Sequence, residues 1–276
     1  MNIRLLSNED LNPLYRTFTS SFANNEVRFQ PSLDDFNYRI HKKLLLDMEI
    51  SAAAFDGDEM VGFILHSSNL YEGIPTAYNG GTGVLPGFRN QQVAAQVYDF
   101  LIPRIQQKSL ARILLEVVET NIYAIALYEK IGFTFKRRFK CYKKVKQLDD
   151  KPEVEVVEGE MQDVDFSFVD FNPCFIDSGD QLKRGNEQVL LAKDESGNSI
   201  GHLIMQPHLG RISQIAVSRI HRHNHVGLSL IRKAQTYTEK HLFIMNIPEE
   251  EIGFDAFLKA CGFENQVNQF EMELII

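Results

Sequence analysis

The chain of 276 residues repeats one pattern in the same order at a nearly constant spacing, and that repeat limits its fold more than any other feature. ISAAAFDGDEMVGFILHS reads as two apolar runs around Asp56-Gly57, a hairpin signal, with Val61-Gly62-Phe63 in the second run. QVLLAKDESGNSIGHLIM repeats the plan around Ser196-Gly197, with Ile200-Gly201-His202 behind it. Next, TAYNGGTGVLPGFRNQQVAAQVYDFLIPRI is answered by GRISQIAVSRIHRHNHVGLSLIRKA: each is an apolar strand, an Arg-containing turn and an amphipathic helix. LYEKIGF around Gly132 matches FLKACGF around Gly262. Gly62 and Gly201 lie 139 residues apart, Arg89 and Arg222 133, Gly132 and Gly262 130. Three features recurring in one order predict tandem copies of one α/β domain. The polar stretch KQLDDKPE, Lys146 to Glu153, separates them, so the expected domains are 1–146 and 153–276.

Within the first copy, periodicity predicts helices over Asn8–Phe22, Ser32–Asp47, Gln91–Lys108 and Asn121–Ile131. Strands are expected over Asn2–Leu6, Ile50–Phe55, Met60–His66, Thr76–Val84, Arg112–Val117, Phe133–Lys136 and Phe139–Val145. Gly80, Gly81 and Gly83 allow a bulge or a close approach of backbone near the end of the fourth strand.

Composition narrows the function. A net charge of −8 argues against nucleic-acid partners, whose phosphates need a basic face. The basic run KRRFKCYKKVK reads as the solvated face of a strand. No apolar run has the length of a membrane span, and MNIRLLSNED lacks a signal-peptide core. Cys141, Cys174 and Cys261 are far apart and odd in number, so reduced thiols and a cytoplasmic location are expected, with no membrane partner.

The stretch VLPGFRNQQVA, followed by LLEVVETNIYAIALYEKIGF, resembles the GCN5-related N-acetyltransferase family, and the resemblance covers nearly the whole chain as two copies. It implies the acyl-CoA N-acyltransferase fold, an α/β (α+β) architecture in which a mixed, mostly antiparallel sheet is flanked by helices. In that family an (Arg/Gln)-x-x-Gly-x-(Gly/Ala) turn opens a helix whose amides hold the pyrophosphate of acetyl-coenzyme A; a helix start offers unpaired N–H groups and a positive dipole end. Arg89, Asn90, Gln91, Gln92, Val93 and Ala94 fill the six positions, with Gln92 where the family has Gly. Arg222, His223, Asn224, His225, Val226 and Gly227 fill them in the second copy, with His225 at the same place. The strand before each loop, through Gly83, Val84 and Leu85 or Ala216 and Val217, is expected to pair with the coenzyme's amide-bearing arm. The second loop is thus a possible second cofactor site.

Asn121, Ala124, Leu127, Tyr128, Gly132 and Phe133 match a second family pattern. There the Asn meets the pantetheine arm and the Tyr protonates the departing thiolate, a task suited to a phenol with ordinary pKa near 10. In the second copy Glu251 stands for Asn121 and Leu258 for Tyr128. The expectation is therefore an N-terminal acetyltransferase acting on an amine of a small molecule or peptide, beside a degenerate C-terminal copy. The attacking amine must be neutral; Glu116 is the candidate base, with Glu119 and the carboxylate of Ile276 as further candidates. Early helices and loops, roughly Phe22–Ile40 and Ser67–Pro75, are expected to shape the acceptor site. HRHNH places His221, His223 and His225 alternately, but no carboxylate or Cys accompanies them and no metal is expected. The Gln92 and His225 departures leave two alternatives: a non-catalytic acyl-CoA-binding or interaction protein, or activity in the C-terminal copy, which keeps Gly227.

Overall fold

The computed structural model describes residues 1–23, 30–146 and 154–276, in two units built to one plan. The first comprises Met1–Lys136 with Glu271–Ile276, the second Arg137–Phe270. Positions 147–153 of the polar stretch, and 24–29 of the first expected acceptor segment, lie outside the described residues. Among the described residues no helix is long and apolar enough to cross a membrane.

The first unit runs β1 (Asn2–Leu5), α1 (Leu11–Phe22), α2 (Leu33–Tyr38) with a π-helical turn Arg39–Leu44, β2 (Ala52–Asp56), β3 (Glu59–Tyr71), β4 (Ile74–Val84), α3 (Val93–Gln107), β5 (Arg112–Val118) and α4 (Ile122–Ile131). Strand β6 (Thr134–Lys144) starts in this unit and ends in the second. The second continues with β7 (Val156–Gly159), α5 (Gly179–Arg184), β8 (Gln188–Lys193), β9 (Ser199–Gln206), β10 (Arg211–Val217), α6 (Val226–Gln235), β11 (Phe243–Pro248), α7 (Ile252–Ala260) and β12 (Phe263–Ile275). Strands β1 to β4 lie side by side and antiparallel, and β5 joins β4 in parallel. The second unit repeats this with β7 to β10 antiparallel and β11 parallel to β10.

Both sheets bury helices against them, and glycine sets the approach. A Cβ on Gly62 of β3 would stand 2.8 Å from Val93 Cγ1, at the start of α3. On Gly201 of β9 it would meet Ala216 O at 3.0 Å and Val226 Cγ1 at 3.2 Å. The repeated glycine therefore lets the helix that follows the Arg turn press onto the sheet. In the first unit Phe18 packs on Phe22, Phe36 and Phe63, closing the face under α1 and α2. In the second, Leu203, Met205, Ile212, Leu230 and Ile231 are all fully buried.

The C-terminal residues of β12 (Glu271–Ile275) belong to the first unit and lie beside β5. Ile276 N–H donates to Ala111 O at 3.0 Å. Buried Arg112 donates to Glu273 at 2.8 Å, Glu72 at 3.1 Å, Thr76 Oγ1 at 2.9 Å and Tyr71 O at 2.8 Å. Lys136 reaches the same two carboxylates, at 3.2 and 3.3 Å. A cation desolvated this far needs such partners, and they come from two separate stretches of chain, the β3–β4 hairpin and β12.

Three element boundaries differ from the sequence expectation. Strand β3 continues to Tyr71, so Ser67–Pro75 is the far end of a long hairpin, turned at Glu72 and Gly73 with φ of 54° and 74°; paired positive φ matches the twist of the strands. The second helical segment stops at Leu44, where Leu45 takes φ 55°, and Asp47 caps the next turn instead. The two strands expected at Phe133–Lys136 and Phe139–Val145 are one, β6.

Candidate functional site

The register of β3 and β4 slips at one residue: Leu65 pairs with Gly81 and His66 with Asn79, leaving Gly80 as a bulge. Just there β4 and β5 part. Their pairing runs from Thr76–Arg112 to Asn79–Leu115, while β4 goes on to Val84 and β5 to Val118. Strands that diverge leave backbone groups on both inner edges facing a gap, which can take an extended, amide-bearing chain.

Polar side chains bridge this opening to α4. Gly81 N–H donates to Asn79 Oδ1 at 2.8 Å, fixing the amide, and Asn79 Nδ2 donates to Thr82 Oγ1 at 2.8 Å and to Tyr98 Oη at 2.5 Å. The Tyr128 ring stands edge-on to Tyr98 and Phe133, with centroids 6.4 and 5.5 Å away. Burial raises the Tyr128 pKa, with the Thr82 hydroxyl opposing, so the phenol keeps its proton at neutral pH. Asn121 sits at the N-cap of α4, its side chain accepting from Ala124 N at 3.2 Å.

At the end of β4 the chain leaves the sheet with Leu85 N–H on Val61 O, and a 3-10 turn carries it to Arg89. Arg89 is exposed, but its guanidinium folds back on the chain: Nε donates to Val84 O at 3.3 Å and Nη2 to Ser21 O at 2.8 Å, tying the strand end to the last turn of α1. Gln91 Nε2 donates to Gly87 O at 2.9 Å. Asn90 and Gln92 have φ of 62° and 61°, so Gln92 holds the left-handed torsion for which glycine is the easy residue. Val93 and Ala94 are buried as the first residues of α3, whose amides open toward the loop. Gly83 is packed tightly, since a Cβ there would stand 2.4 Å from Phe63.

Glu116 is half-buried on β5, where the strands part, and accepts from the Tyr78 hydroxyl at 2.5 Å. Arg39 Nη2 reaches Gly80 O, the bulge carbonyl, at 2.6 Å. Asn79, Thr82, Tyr98, Tyr78 and Arg39 were not singled out from sequence, because no spacing distinguishes them from ordinary strand and helix residues. Glu119 lies on the turn after β5. The terminus is elsewhere: Ile276 pairs with Ala111 at the start of β5, about 16 Å of strand from Glu116 at ~3.3 Å per residue. Its carboxylate is not part of this opening.

The model of the "Acetyltransferase (GNAT) family" matches residues 11–133, spanning this whole site. Residues 11–133 of the chain thus carry a GNAT acetyltransferase family domain. The N-alpha-acetyltransferase 30 of Dictyostelium discoideum is 30% identical over 95 residues, 34% of this chain. The chain spans about half, 51%, of that relative's length. Two solved structures share the fold over nearly the full chain. One is a tandem GNAT protein from the clavulanic acid biosynthesis pathway, with TM-score 0.78, 15% identity, and 99% and 98% of the two chains covered. The other is a GCN5-related N-acetyltransferase from Sphaerobacter thermophilus, with TM-score 0.73, 14% identity, and 99% and 95% covered.

The second unit reproduces the frame with different side chains. The bulge falls on Ser213, 133 residues after Gly80, the same spacing as Arg89 to Arg222. Its loop repeats the first in torsion: His223 and His225 have φ of 63° and 59°, and Arg222 Nε donates to Val217 O at 3.0 Å and Nη2 to Phe168 O at 3.4 Å. The His221 to His225 run is thus bent into a left-handed loop, and among the described residues no three metal-ligating side chains converge. Gly227 lets Phe257 pack on α6; a Cβ there would stand 2.8 Å from that ring. Ala216 is buried beside Val217 at the end of β10, and Val226 opens α6 with Asn224 just before it on the loop. Below the bulge, buried Arg211 and Asp177 form a bidentate pair at 2.9 and 2.7 Å, and Ser213 bonds Glu187. Leu258, fully buried, occupies the place of Tyr128.

Proposed function

We propose that the N-terminal unit transfers acetyl from acetyl-coenzyme A to an amine of a small molecule or peptide, by direct attack on the thioester. The buried Tyr128 phenol, beside the place where β4 parts from β5, is the observation that carries this reading. In this scheme the helix start after Gln92 takes the pyrophosphate, and the edges of β4 and β5 take the pantetheine arm. Asn121 lies at the arm's exit. Glu116 accepts a proton from the incoming ammonium. The neutral amine attacks the carbonyl carbon, forming the C–N bond as the C–S bond breaks. Tyr128 gives its proton to the leaving sulfur and is restored by the proton lost from nitrogen. Leu258 has no proton to give, and Glu251 brings a negative charge where an amide stands in the first unit, so the second unit acts as a structural or acceptor-shaping partner. The name of the Dictyostelium relative favours a peptide α-amine as the first acceptor to try.

The test is turnover of acetyl-coenzyme A with a short unblocked peptide and, in parallel, a polyamine. Tyr128→Phe is expected to lower kcat on the order of a hundredfold and leave calorimetric binding of acetyl-coenzyme A intact. Arg89→Glu is expected to abolish that binding, and Arg222→Glu to leave it unchanged. Turnover by Tyr128→Phe at the wild-type rate removes the assigned acid.

A further inference from the structure

We infer that Tyr78 is the positioning residue for Glu116, and that the two side chains act as one base on the acceptor side of the opening. This rests on the reading of Glu116 given above and adds what holds it ready. Tyr78 and Glu116 flank the last pair of the two strands, Asn79 with Leu115, and the phenol donates to Oε2 at 2.5 Å. A short bond from a neutral donor to a carboxylate holds the side chain in one rotamer at the edge of the gap. It also favours the ionised form, the form that takes a proton. Tyr78 is only 6% exposed, so its ring is held by packing and the direction of its hydroxyl is set by the fold.

The second unit supports the assignment by contrast. At the bulge spacing of 133, the counterpart of Tyr78 is Arg211, and its guanidinium is turned onto Asp177 instead of a residue of β11. The unit without the phenolic acid also lacks the tyrosine–glutamate pair. In the first unit, charged groups on elements around the opening include Arg39, on the Gly80 carbonyl, Arg112 on β5, Glu119 after it, Glu129 and Lys130 on α4, Glu273 on β12, and Glu271, fully buried on β12 next to β5. The carboxylates among them must be controlled in any titration.

The experiment follows Glu116 without needing the natural acceptor. The full chain is labelled with glutamate carrying ¹³C at the side-chain carboxyl and titrated by NMR, Glu116→Gln assigning the signal and Glu271→Gln excluding its neighbour. In Tyr78→Phe the midpoint of the Glu116 signal is expected to rise. A fluorinated tyrosine at position 78, a stronger donor, is expected to lower it. With the unblocked peptide and acetyl-coenzyme A, the acid limb of kcat/KM should shift in the same direction, with kcat falling on the order of tenfold and KM unchanged. Superimposable titrations in wild type and Tyr78→Phe overturn the inference. An acid limb that follows Glu271→Gln and ignores Tyr78→Phe overturns it too. Wild-type turnover by Glu116→Gln instead removes Glu116 as base, whatever Tyr78 does to its titration.

Discussion

Gln92 shows how a single side chain can depart from a pattern while the backbone keeps it. Its φ of 61° and that of His225, 59°, are the torsions a glycine would supply, and both loops hold them with the same bracing arginine. A long, unbranched or planar side chain tolerates this region at a cost of about 1–2 kcal/mol, whereas a β-branched one does not. Gln92→Val is therefore expected to destabilise the fold by about 1–3 kcal/mol and weaken acetyl-coenzyme A binding, with Gln92→Gly retaining both; denaturant melts and calorimetry check this. Sequence alone exposed the departure from glycine but not its consequence, because torsion is not written in a residue's name. The same limit hid Arg89: its position in the motif was legible, its role as a brace between Val84 and Ser21 was not.

Two histidines give a second residue-scale expectation. Burial holds His66 down to about 4, against the Ile50 carbonyl at its Nδ1 and the charge of Asp47. Burial does the same to His202, to about 4, against its bond with Gln214. Each is neutral in the fold and protonates near 6.5 when unfolded. Above about pH 6.5 neither form binds the proton and the stability is fully present; as pH falls, the unfolded chain is protonated first, and stability is lost between about 6.5 and 4. Thermal melts across that window should show the loss, and His66→Gln and His202→Gln should each flatten it.

At the scale of elements, most of the architecture was legible. Val61-Gly62-Phe63 and Ile200-Gly201-His202 marked the strands under α3 and α6, and the Gly80–Gly83 cluster marked the bulge. The physical reason is that each of these glycines answers a local demand, a close helix or an extra residue in a strand. Gly62→Ala is expected to push α3 from the sheet and cost about 1–3 kcal/mol, read by chemical denaturation, because Val93 stands where the methyl would go. What failed was length: the β3–β4 hairpin runs past His66 because Glu72 accepts a positive φ, and β6 is continuous through Arg137 because a charged strand face looks, letter by letter, like a break. Tyr78 and Glu116 were likewise invisible as a pair, since pairing across parallel strands depends on register that no local pattern encodes.

At the scale of the molecule, the repeat was plain and the ownership of its strands was not. Polar residues mark where one copy ends in sequence, yet Glu271–Ile276 belong in space with the first unit, where Glu273 shares Arg112 with Glu72. Deleting 271–276 is expected to leave a buried guanidinium short of a carboxylate and β5 with an open edge. Hydrogen exchange at Arg112–Val118 should accelerate, and turnover should fall with it; unchanged exchange in β5 counts against the assignment of these residues to the first unit. An isolated 1–146 fragment is expected to be poorly soluble for the same reason.

The returning tail also sets an order in time. On a ribosome the first unit emerges early but lacks the strand that covers β5 until the whole of the second unit has been translated. For most of synthesis the half with the candidate active site waits as an unfinished sheet, and it can close only once its neighbour has been made. A stalled or prematurely terminated chain is thus left with that sheet unfinished.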